Sequence, residues 1–192
     1  ILHMKKVLLV VATHGNEKIG IEVVKCLKEK NLDQFFDVLV ANPQAFKSGE
    51  MFIDANLNRS YPGKKDSKLY EERLAYQNLK VAEKYQYVID IHEANKGQDD
   101  FIIVPREELS VDFPIELIDL KRVLLWPDPK GPMAEVLTQA IELEFGSKNR
   151  SRVEMVNKAV GILEGFFKAI YLNKKLVQRS QQTYYVYGKL MV

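Results

Sequence analysis

The strongest constraint on the fold is a short apolar segment near the start of the chain, Lys5–Ala12, which stops abruptly at polar residues. A continuous apolar run of this length is typical of a strand buried on both faces of a parallel sheet. Gly15 and Asn16 mark a turn after it, with Asn16 as a helix cap, and the apolar spacing that follows predicts a helix to about Lys30. A buried strand that leads directly into a helix indicates an α/β layered fold.

The remainder of the chain continues this alternation of strands and helices. Further strands are predicted at 35–40, 87–92, 101–104, 123–126, 138–145 and, rich in tyrosine, 183–190. Helices are predicted over 67–85 and 151–173. The segment 44–66 is turn-rich and weakly periodic, and long irregular segments in compact domains are often functional. The pattern predicts a mostly parallel sheet, in which ligands bind at the carboxyl ends of the strands.

Composition and charge argue against nucleic acid and against a membrane span. The chain has 28 Lys and Arg against 26 Asp and Glu, with no basic block lacking nearby acidic residues, which argues against a nucleic-acid partner. No apolar run reaches the roughly 18–20 residues of a membrane span. Cys26 is the only cysteine, as is common in a reducing compartment. We expect a soluble, cytoplasmic protein with one domain over residues 4–192, residues 1–3 being a vector remnant.

Two histidines follow strands that should end at the same edge of the sheet. His14 comes just after the first strand and His92 ends the strand at 87–92, while Glu17 lies three residues beyond His14. Two histidines and one glutamate form a common zinc ligand set that leaves a fourth position for water. Lone histidines are more often ordinary surface or core residues, so the spacing by itself leaves both interpretations open. For Asp90 and Glu93 we expect a structural or ligand-orienting role.

The turn-rich region carries a family resemblance. The segments 41–46 and 54–63 resemble the succinylglutamate desuccinylase/aspartoacylase family, whose catalytic domain is related to the zinc carboxypeptidases. Together with the segments around His14, His92 and Glu144, they occur in the family's order over about three-quarters of the chain. The resemblance implies a three-layer, metallocarboxypeptidase-like fold with a mixed, mostly parallel sheet and helices on both faces.

The resemblance also implies roles for six residues. His14, Glu17 and His92 would bind one Zn²⁺, Asn58 and Arg59 would contact the substrate, and Glu144 would be the general base and acid.

These roles agree with the chemistry of the residue types. Zinc lowers the pKa of a bound water to about 7 and polarises a carbonyl, and a nearby carboxylate can move the proton to the departing amine. The planar guanidinium of Arg59 can bind a substrate carboxylate through two hydrogen bonds. The ordinary alternative is that Arg59 forms a salt bridge within its own loop. Glu142, on the same strand face as Glu144, is expected to be a plain surface residue.

Several positions depart from the family pattern. Met51 stands where the family commonly has an arginine, and Asn56 stands where it usually has an aspartate. Ala94 stands where a small hydroxyl residue often follows the histidine motif at the end of the strand. A second arginine expected shortly before Glu144 has no counterpart nearer than Arg122, whereas Arg150 and Arg152 lie downstream. We also expect the family's C-terminal β domain to be absent or reduced to a terminal strand. Because of these departures, the sequence does not identify the acyl group of the substrate.

The main functional hypothesis is a zinc-dependent hydrolase that cleaves the amide bond of an N-acyl amino acid, a small substrate with a free carboxylate. One alternative is a zinc carboxypeptidase that acts on peptide C-termini. The other is a non-catalytic member that binds a metal or ligand, which Met51 and the short C-terminus would favour.

Overall fold

The computed structural model describes residues 6–109, 111–127, 131–172 and 180–186. Its strands are β1 (Val7–Val11), β2 (Phe36–Val40), β3 (Tyr87–Glu93), β4 (Phe101–Val104), β5 (Arg122–Leu125), β6 (Ala140–Phe145) and β7 (Gln182–Tyr185). Its helices are α1 (Ile19–Glu29), α2 (Pro43–Ser48), α3 (Tyr70–Ala82), α4 (Met133–Val136) and α5 (Arg152–Leu172), with 3₁₀ turns at Leu57–Arg59 and Ile115–Leu117. None of these described helices combines the length and apolar character that a membrane span requires.

The strands form one mixed sheet in the order β2-β1-β3-β6-β4-β5-β7. The first four of these strands run parallel to one another. β4 is antiparallel to β6, and β5 and β7 are parallel to β4. The predicted mixed, mostly parallel sheet is therefore confirmed, with its single change of direction between β6 and β4.

Both faces of the sheet are covered, which explains the continuous apolar run in β1. Val7, Leu9 and Val11 pack in a cluster that includes buried residues of α1 and α5. Leu8 and Val10 point to the opposite face and pack in a cluster that includes residues of α3 and α4 and the 3₁₀ turn at 57–59. The predicted three-layer arrangement with helices on both faces is thus also confirmed.

The observed elements lie close to the predicted ones, with local differences. α1 begins at Ile19, so Asn16 belongs to the preceding turn and the prediction of a cap there was wrong. The irregular segment contains α2, whose signal was readable: Pro43 stands in its first turn and the Asn42 side chain accepts a hydrogen bond from Ala45 N–H. The ends of the last predicted helix and strand, at residue 173 and at 187–190, lie outside the described residues.

Candidate active site

The candidate site lies at the carboxyl ends of β1, β3 and β6, which are adjacent and parallel. In this register His92 of β3 is paired with Glu144 of β6, and the β1 strand leads into the turn that carries His14. Gly15 allows that turn to pack closely against α2, because a Cβ atom there would lie 2.1 Å from the Ala45 carbonyl carbon. The sheet topology therefore places residues from three distant segments at one edge.

The structure brings the three predicted metal ligands together. His14 Nδ1 lies 2.6 Å from Glu17 Oε1, and His92 Nδ1 lies 3.1 Å from Glu17 Oε2. The two imidazole ring centroids are 5.2 Å apart. One ligand atom from each of the three residues lies within 4.8 Å of the other two. Two imidazole nitrogens that converge with one carboxylate form a donor set that fits a zinc ion.

The charges of these groups are strongly coupled. Burial of Glu17 would raise its pKa, but the charge of His92 and hydrogen bonds from His14 and His92 outweigh that effect and lower the pKa to about 2. Burial of His92 would lower its pKa, but the carboxylates of Asp90 and Glu17 raise it well above its ordinary value. Glu17 is therefore a carboxylate across the physiological range, the form that can bind a cation.

A second carboxylate lies behind His92 and orients its ring. His92 Nε2 lies 3.2 Å from Asp90 Oδ2. The Thr13 hydroxyl donates to Asp90, 2.9 and 3.0 Å from the two carboxylate oxygens. The Glu93 side chain turns away from the cluster to pair with Arg152 at 2.6 Å. A carboxylate on the far nitrogen of a ligating histidine fixes the ring orientation, so Asp90 fits the predicted ligand-orienting role.

Glu144 is partly buried beside this cluster. Burial is the largest influence on its pKa and raises it to about 7. The charges of Glu142 and Glu17 add to the increase, whereas those of His92 and His14 oppose it. A carboxyl group that titrates near neutrality can accept a proton and return it within one reaction cycle.

Glu142 is not the surface residue that the sequence suggested. Its side chain shares the sheet face with Glu144 as predicted, but the residue is only 3% exposed. The 3₁₀ turn at 57–59 covers it, and Glu142 Oε1 accepts a hydrogen bond from Asn58 Nδ2 at 3.0 Å. Burial also raises the pKa of Glu142.

The two residues predicted to bind the substrate, Asn58 and Arg59, differ in their exposure to solvent. Asn58 is buried, with its amide nitrogen bonded to Glu142, and its amide oxygen has no hydrogen-bond partner among the residues that the structure describes. Arg59 is exposed. Its Nη1 donates to the Asn58 carbonyl oxygen at 2.6 Å, and its guanidinium carbon lies 5.9 Å from the ring centroid of Trp126. Arg59 can therefore contact a ligand directly. Asn58 holds Glu142 through its amide nitrogen, and its contact with the substrate stays a prediction.

Asn56 shows how one departure from the family pattern is accommodated. Its side-chain oxygen accepts a hydrogen bond from Asn58 N–H at 2.8 Å, which caps the 3₁₀ turn. The same oxygen lies 3.2 Å from His14 Nε2. An amide oxygen is an acceptor just as a carboxylate oxygen is, so asparagine can make the contacts that an aspartate would make here.

The three arginines near the sheet edge are all paired with carboxylates. Arg122 lies 3.2 Å from Asp99 Oδ2, and Arg150 Nη2 lies 2.5 Å from the buried Asp100 Oδ1. Arg152 pairs with Glu22 as well as with Glu93. These pairs account for the charges of all three arginines without a substrate.

Glu71, a residue that no sequence motif marks, fixes the loop beside the site. This fully buried residue in the first turn of α3 accepts four hydrogen bonds. The donors are the backbone N–H groups of Ile53 at 2.6 Å, Asp54 at 2.9 Å and Ala55 at 3.0 Å, and Asn42 Nδ2 at 3.1 Å. Burial would raise its pKa, but these backbone donors lower it overall. No local pattern signals such a role, because the donors are 16 to 29 residues away.

We expect Glu71→Gln to lower the free energy of unfolding by about 2–3 kcal/mol, because an amide cannot accept from all four donors and presents N–H groups to some of them. Because the folded-state pKa of Glu71 is lowered, its stabilisation is present above the ordinary carboxyl pKa and is lost as the pH falls through the folded value. Urea unfolding at neutral and acidic pH measures both effects. The neighbouring Glu72→Gln is the control, and equal stability of the two variants would contradict the assigned role.

Comparison with known proteins identifies clear relatives. Residues 3–122 match the family described as the succinylglutamate desuccinylase/aspartoacylase catalytic domain. A probable aspartoacylase of Prochlorococcus marinus subsp. pastoris is 29% identical over 170 residues, which cover 75% of this chain and 54% of that protein. A succinylglutamate desuccinylase of Shewanella pealeana is 33% identical over 105 residues, covering 50% of this chain and 29% of that protein.

Solved structures show the same fold. The succinylglutamate desuccinylase of Chromobacterium violaceum superposes with a TM-score of 0.77 at 20% sequence identity, over 96% of this chain and 70% of that one. The chain spans about a fifth to about half of the length of the curated relatives that it matches.

Proposed function

Because the chain belongs to the succinylglutamate desuccinylase/aspartoacylase family, we propose that it is a zinc-dependent hydrolase that cleaves the amide bond of an N-acyl amino acid. Curated relatives named aspartoacylase, succinylglutamate desuccinylase and N-acyl-aromatic-L-amino acid amidohydrolase all carry names of amide-bond deacylases. The observation that carries the proposal is the convergence of His14, Glu17 and His92 next to Glu144.

Each residue of the site has its own proposed role in the hydrolysis. Zinc held by His14, Glu17 and His92 would supply a Lewis acid that lowers the pKa of a water molecule and polarises the scissile carbonyl. Glu144, beside His92 in the sheet, accepts the proton of the attacking water and delivers it to the leaving amine. Asp90 fixes the His92 ring throughout, so the reacting groups keep their relative positions.

Arg59 is the proposed recognition point for the carboxylate of the amino acid. It is exposed, and its backbone is fixed by the 3₁₀ turn and by close contact with Gly131, where a Cβ atom would lie 2.3 Å from the Arg59 carbonyl carbon. A guanidinium fork binds a carboxylate through two parallel hydrogen bonds, which a lysine ammonium cannot reproduce.

Arg59→Lys should raise KM for an N-acyl amino acid by about tenfold or more with a smaller change in kcat, since the lost contact is present before and during the reaction. The amide of the same substrate, which has no carboxylate, should be a poor substrate for both proteins and show no added penalty in the variant. Steady-state kinetics with the two substrates provides the measurement. An equal KM for the N-acyl amino acid in the variant and the parent would show that Arg59 does not bind the substrate carboxylate.

The function as a whole is tested by metal analysis followed by a substrate screen. Purified protein should contain about one zinc per chain or take it up, and a chelator should abolish hydrolysis that added zinc restores. N-acyl amino acids should be cleaved faster than dipeptides. Faster release of a C-terminal residue from peptides would favour the carboxypeptidase alternative. Zinc binding without turnover across both panels would favour the non-catalytic alternative.

A further inference from the structure

Glu142 occupies an unfavourable position for an acidic side chain. It is 3% exposed, and its side chain lies on the same face of β6 as that of Glu144. An acidic side chain in such a place destabilises the fold unless polar partners compensate for the lost water. An apolar side chain would fit a strand that is covered on both faces equally well. The presence of a carboxyl group here therefore indicates a specific task.

Glu142 lies between the metal-binding half of the site and the substrate-binding half. On one side, its register partner in β3 is Asp90, and one side-chain atom each of Asp90, His92 and Glu142 lies within 4.8 Å of the other two. On the other side, Glu142 Oε1 accepts a hydrogen bond from Asn58 Nδ2 at 3.0 Å. This hydrogen bond does not depend on the charge of Glu142, because a carboxyl group keeps an acceptor oxygen in both protonation states.

The same hydrogen bond fixes the orientation of the Asn58 amide group. The amide oxygen of Asn58 has no hydrogen-bond partner among the described residues, so the bond from the amide nitrogen sets the position of the side chain. Leu57 is fully buried in the core and Gly131 packs closely against the backbone of Arg59, so the turn is anchored on both sides of this residue. Glu142 supplies the anchor for the residue between them.

Asn58 passes this constraint to Arg59, the proposed contact for the substrate carboxylate. The Asn58 carbonyl oxygen accepts a hydrogen bond from Arg59 Nη1 at 2.6 Å. The guanidinium carbon of Arg59 lies 5.9 Å from the ring centroid of Trp126. A rotation of Asn58 would therefore move the guanidinium group away from its position beside the Trp126 ring.

Resting on the proposed function, we propose that Glu142 is a positioning residue, whose buried carboxyl oxygen holds Asn58 and, through Asn58, the Arg59 guanidinium in place for the substrate carboxylate. Because the turn is fixed before the substrate binds, less conformational entropy is lost on binding. Glu142 therefore contributes to substrate affinity, whereas proton transfer belongs to Glu144.

The experiment compares two substitutions that remove the same charge. Glu142→Gln keeps a side-chain oxygen that can accept from Asn58, whereas Glu142→Leu has none. With zinc-loaded protein and N-acetyl-L-alanine, or a better substrate from the screen, Glu142→Leu should raise KM about tenfold and Glu142→Gln by no more than about twofold. A change in kcat that comes from the lost charge near Glu144 should be the same in both variants. Zinc affinity should equal that of the parent in both, since Asp90 and His92 keep their contact.

A double-mutant cycle tests whether Glu142 acts through Asn58. If it does, Glu142→Leu combined with Asn58→Ala should raise KM no more than Asn58→Ala alone, because the contact is already lost. Additive increases in KM would show that Glu142 acts elsewhere, and a fall in zinc affinity would place its action on His92. Either result would overturn the assignment. Glu83→Leu, at an exposed position, is the control and should match the parent.

A second apolar variant separates positioning from folding. Glu142→Met replaces the carboxyl group with an unbranched apolar side chain of similar length and should raise KM as Glu142→Leu does. Unfolding of both apolar variants would assign Glu142 to the stability of the fold alone and would overturn the positioning role.

Tryptophan fluorescence separates this inference from the proposed function. Trp126 is the single tryptophan of the chain and lies beside the Arg59 guanidinium, so its emission reports on the position of Arg59 without substrate or turnover. Arg59→Ala gives the size of the change when the guanidinium is removed. Glu142→Leu should change the emission in the same direction and Glu142→Gln should match the parent, even if the protein hydrolyses nothing, in which case only the proposed hydrolase activity would fail. Emission like that of the parent in Glu142→Leu would overturn the positioning role, even if the protein is an active hydrolase.

Discussion

Glu144→Gln is expected to lower kcat by about 10²- to 10⁴-fold, the usual contribution of a general acid-base group. Glutamine has nearly the same shape but cannot take a proton from water or return it to the amine. Zinc content and KM should change little, because Glu144 lies outside the triad of His14, Glu17 and His92. Steady-state kinetics and metal analysis of the same preparation provide the measurement. Full activity in the variant would assign the proton transfer to another group.

The same substitution should stabilise the metal-free protein at alkaline pH. The pKa of Glu144 rises from 4.5 to about 7 on folding, so between these values the folded chain retains a proton that the unfolded chain has lost. Stability therefore falls as the pH increases through this window, and above it the buried charge costs up to about 3 kcal/mol. Glu144→Gln removes this cost at pH 8 and has little effect below pH 4.5.

Denaturant unfolding at pH 8 and near pH 4.5 measures this difference. Glu83→Gln, an exposed residue paired with Lys80 at 3.0 Å, is the matched control and should show neither the kinetic nor the pH-dependent effect. A variant that is less stable than the parent at pH 8 would mean that the Glu144 carboxylate is stabilised in the folded protein. If the variant gains stability and loses turnover, the buried Glu144 carboxylate is needed for catalysis and destabilises the folded protein.

The residues at the site edge were predictable because strand ends are visible in the sequence. Apolar runs locate β1 and β3, and in a parallel sheet the residues that follow such runs must meet at one edge. The sequence therefore predicts that His14 and His92 lie near one another, but it does not predict the 5.2 Å separation of their rings. The order of strands was not accessible, because nothing in the local pattern distinguishes the antiparallel β4 from its parallel neighbours.

Distant segments of the chain bury two carboxylates, Glu142 and Glu71, whose surroundings the sequence pattern does not predict. Glu142 and Glu144 alternate in the same way along β6, and only the covering turn at 57–59 makes one of them a buried acceptor for Asn58. Glu71 appears in the sequence as an ordinary charge on an amphipathic helix, yet it accepts hydrogen bonds from the loop at 53–55. In both cases the environment of a carboxylate is set by chain far away in sequence, which periodicity cannot report.

Single substitutions in the triad are expected to abolish tight zinc binding. His14→Ala or His92→Ala leaves two protein ligands in place of three, and we expect zinc affinity to fall by more than about 100-fold. Zinc in excess should raise the melting temperature of the parent protein, because a ligand at about 1,000 times its Kd stabilises the folded state by about 4 kcal/mol. Neither variant should show this increase at the same zinc concentration. Elemental analysis and thermal unfolding measure binding without relying on activity.

The two histidine variants should differ in their metal-free stability. His92 is 1% exposed and lies between the carboxylates of Asp90 and Glu17, so its removal leaves the buried Asp90 without its imidazole partner and Glu17 with His14 alone. His14 is less buried, and His14→Ala should therefore be the milder change and the cleaner test of metal binding. His3→Ala provides the control for histidine loss outside the triad. Parent-like zinc binding by His14→Ala would show that His14 is not a ligand, and the proposed hydrolase would lose its metal centre.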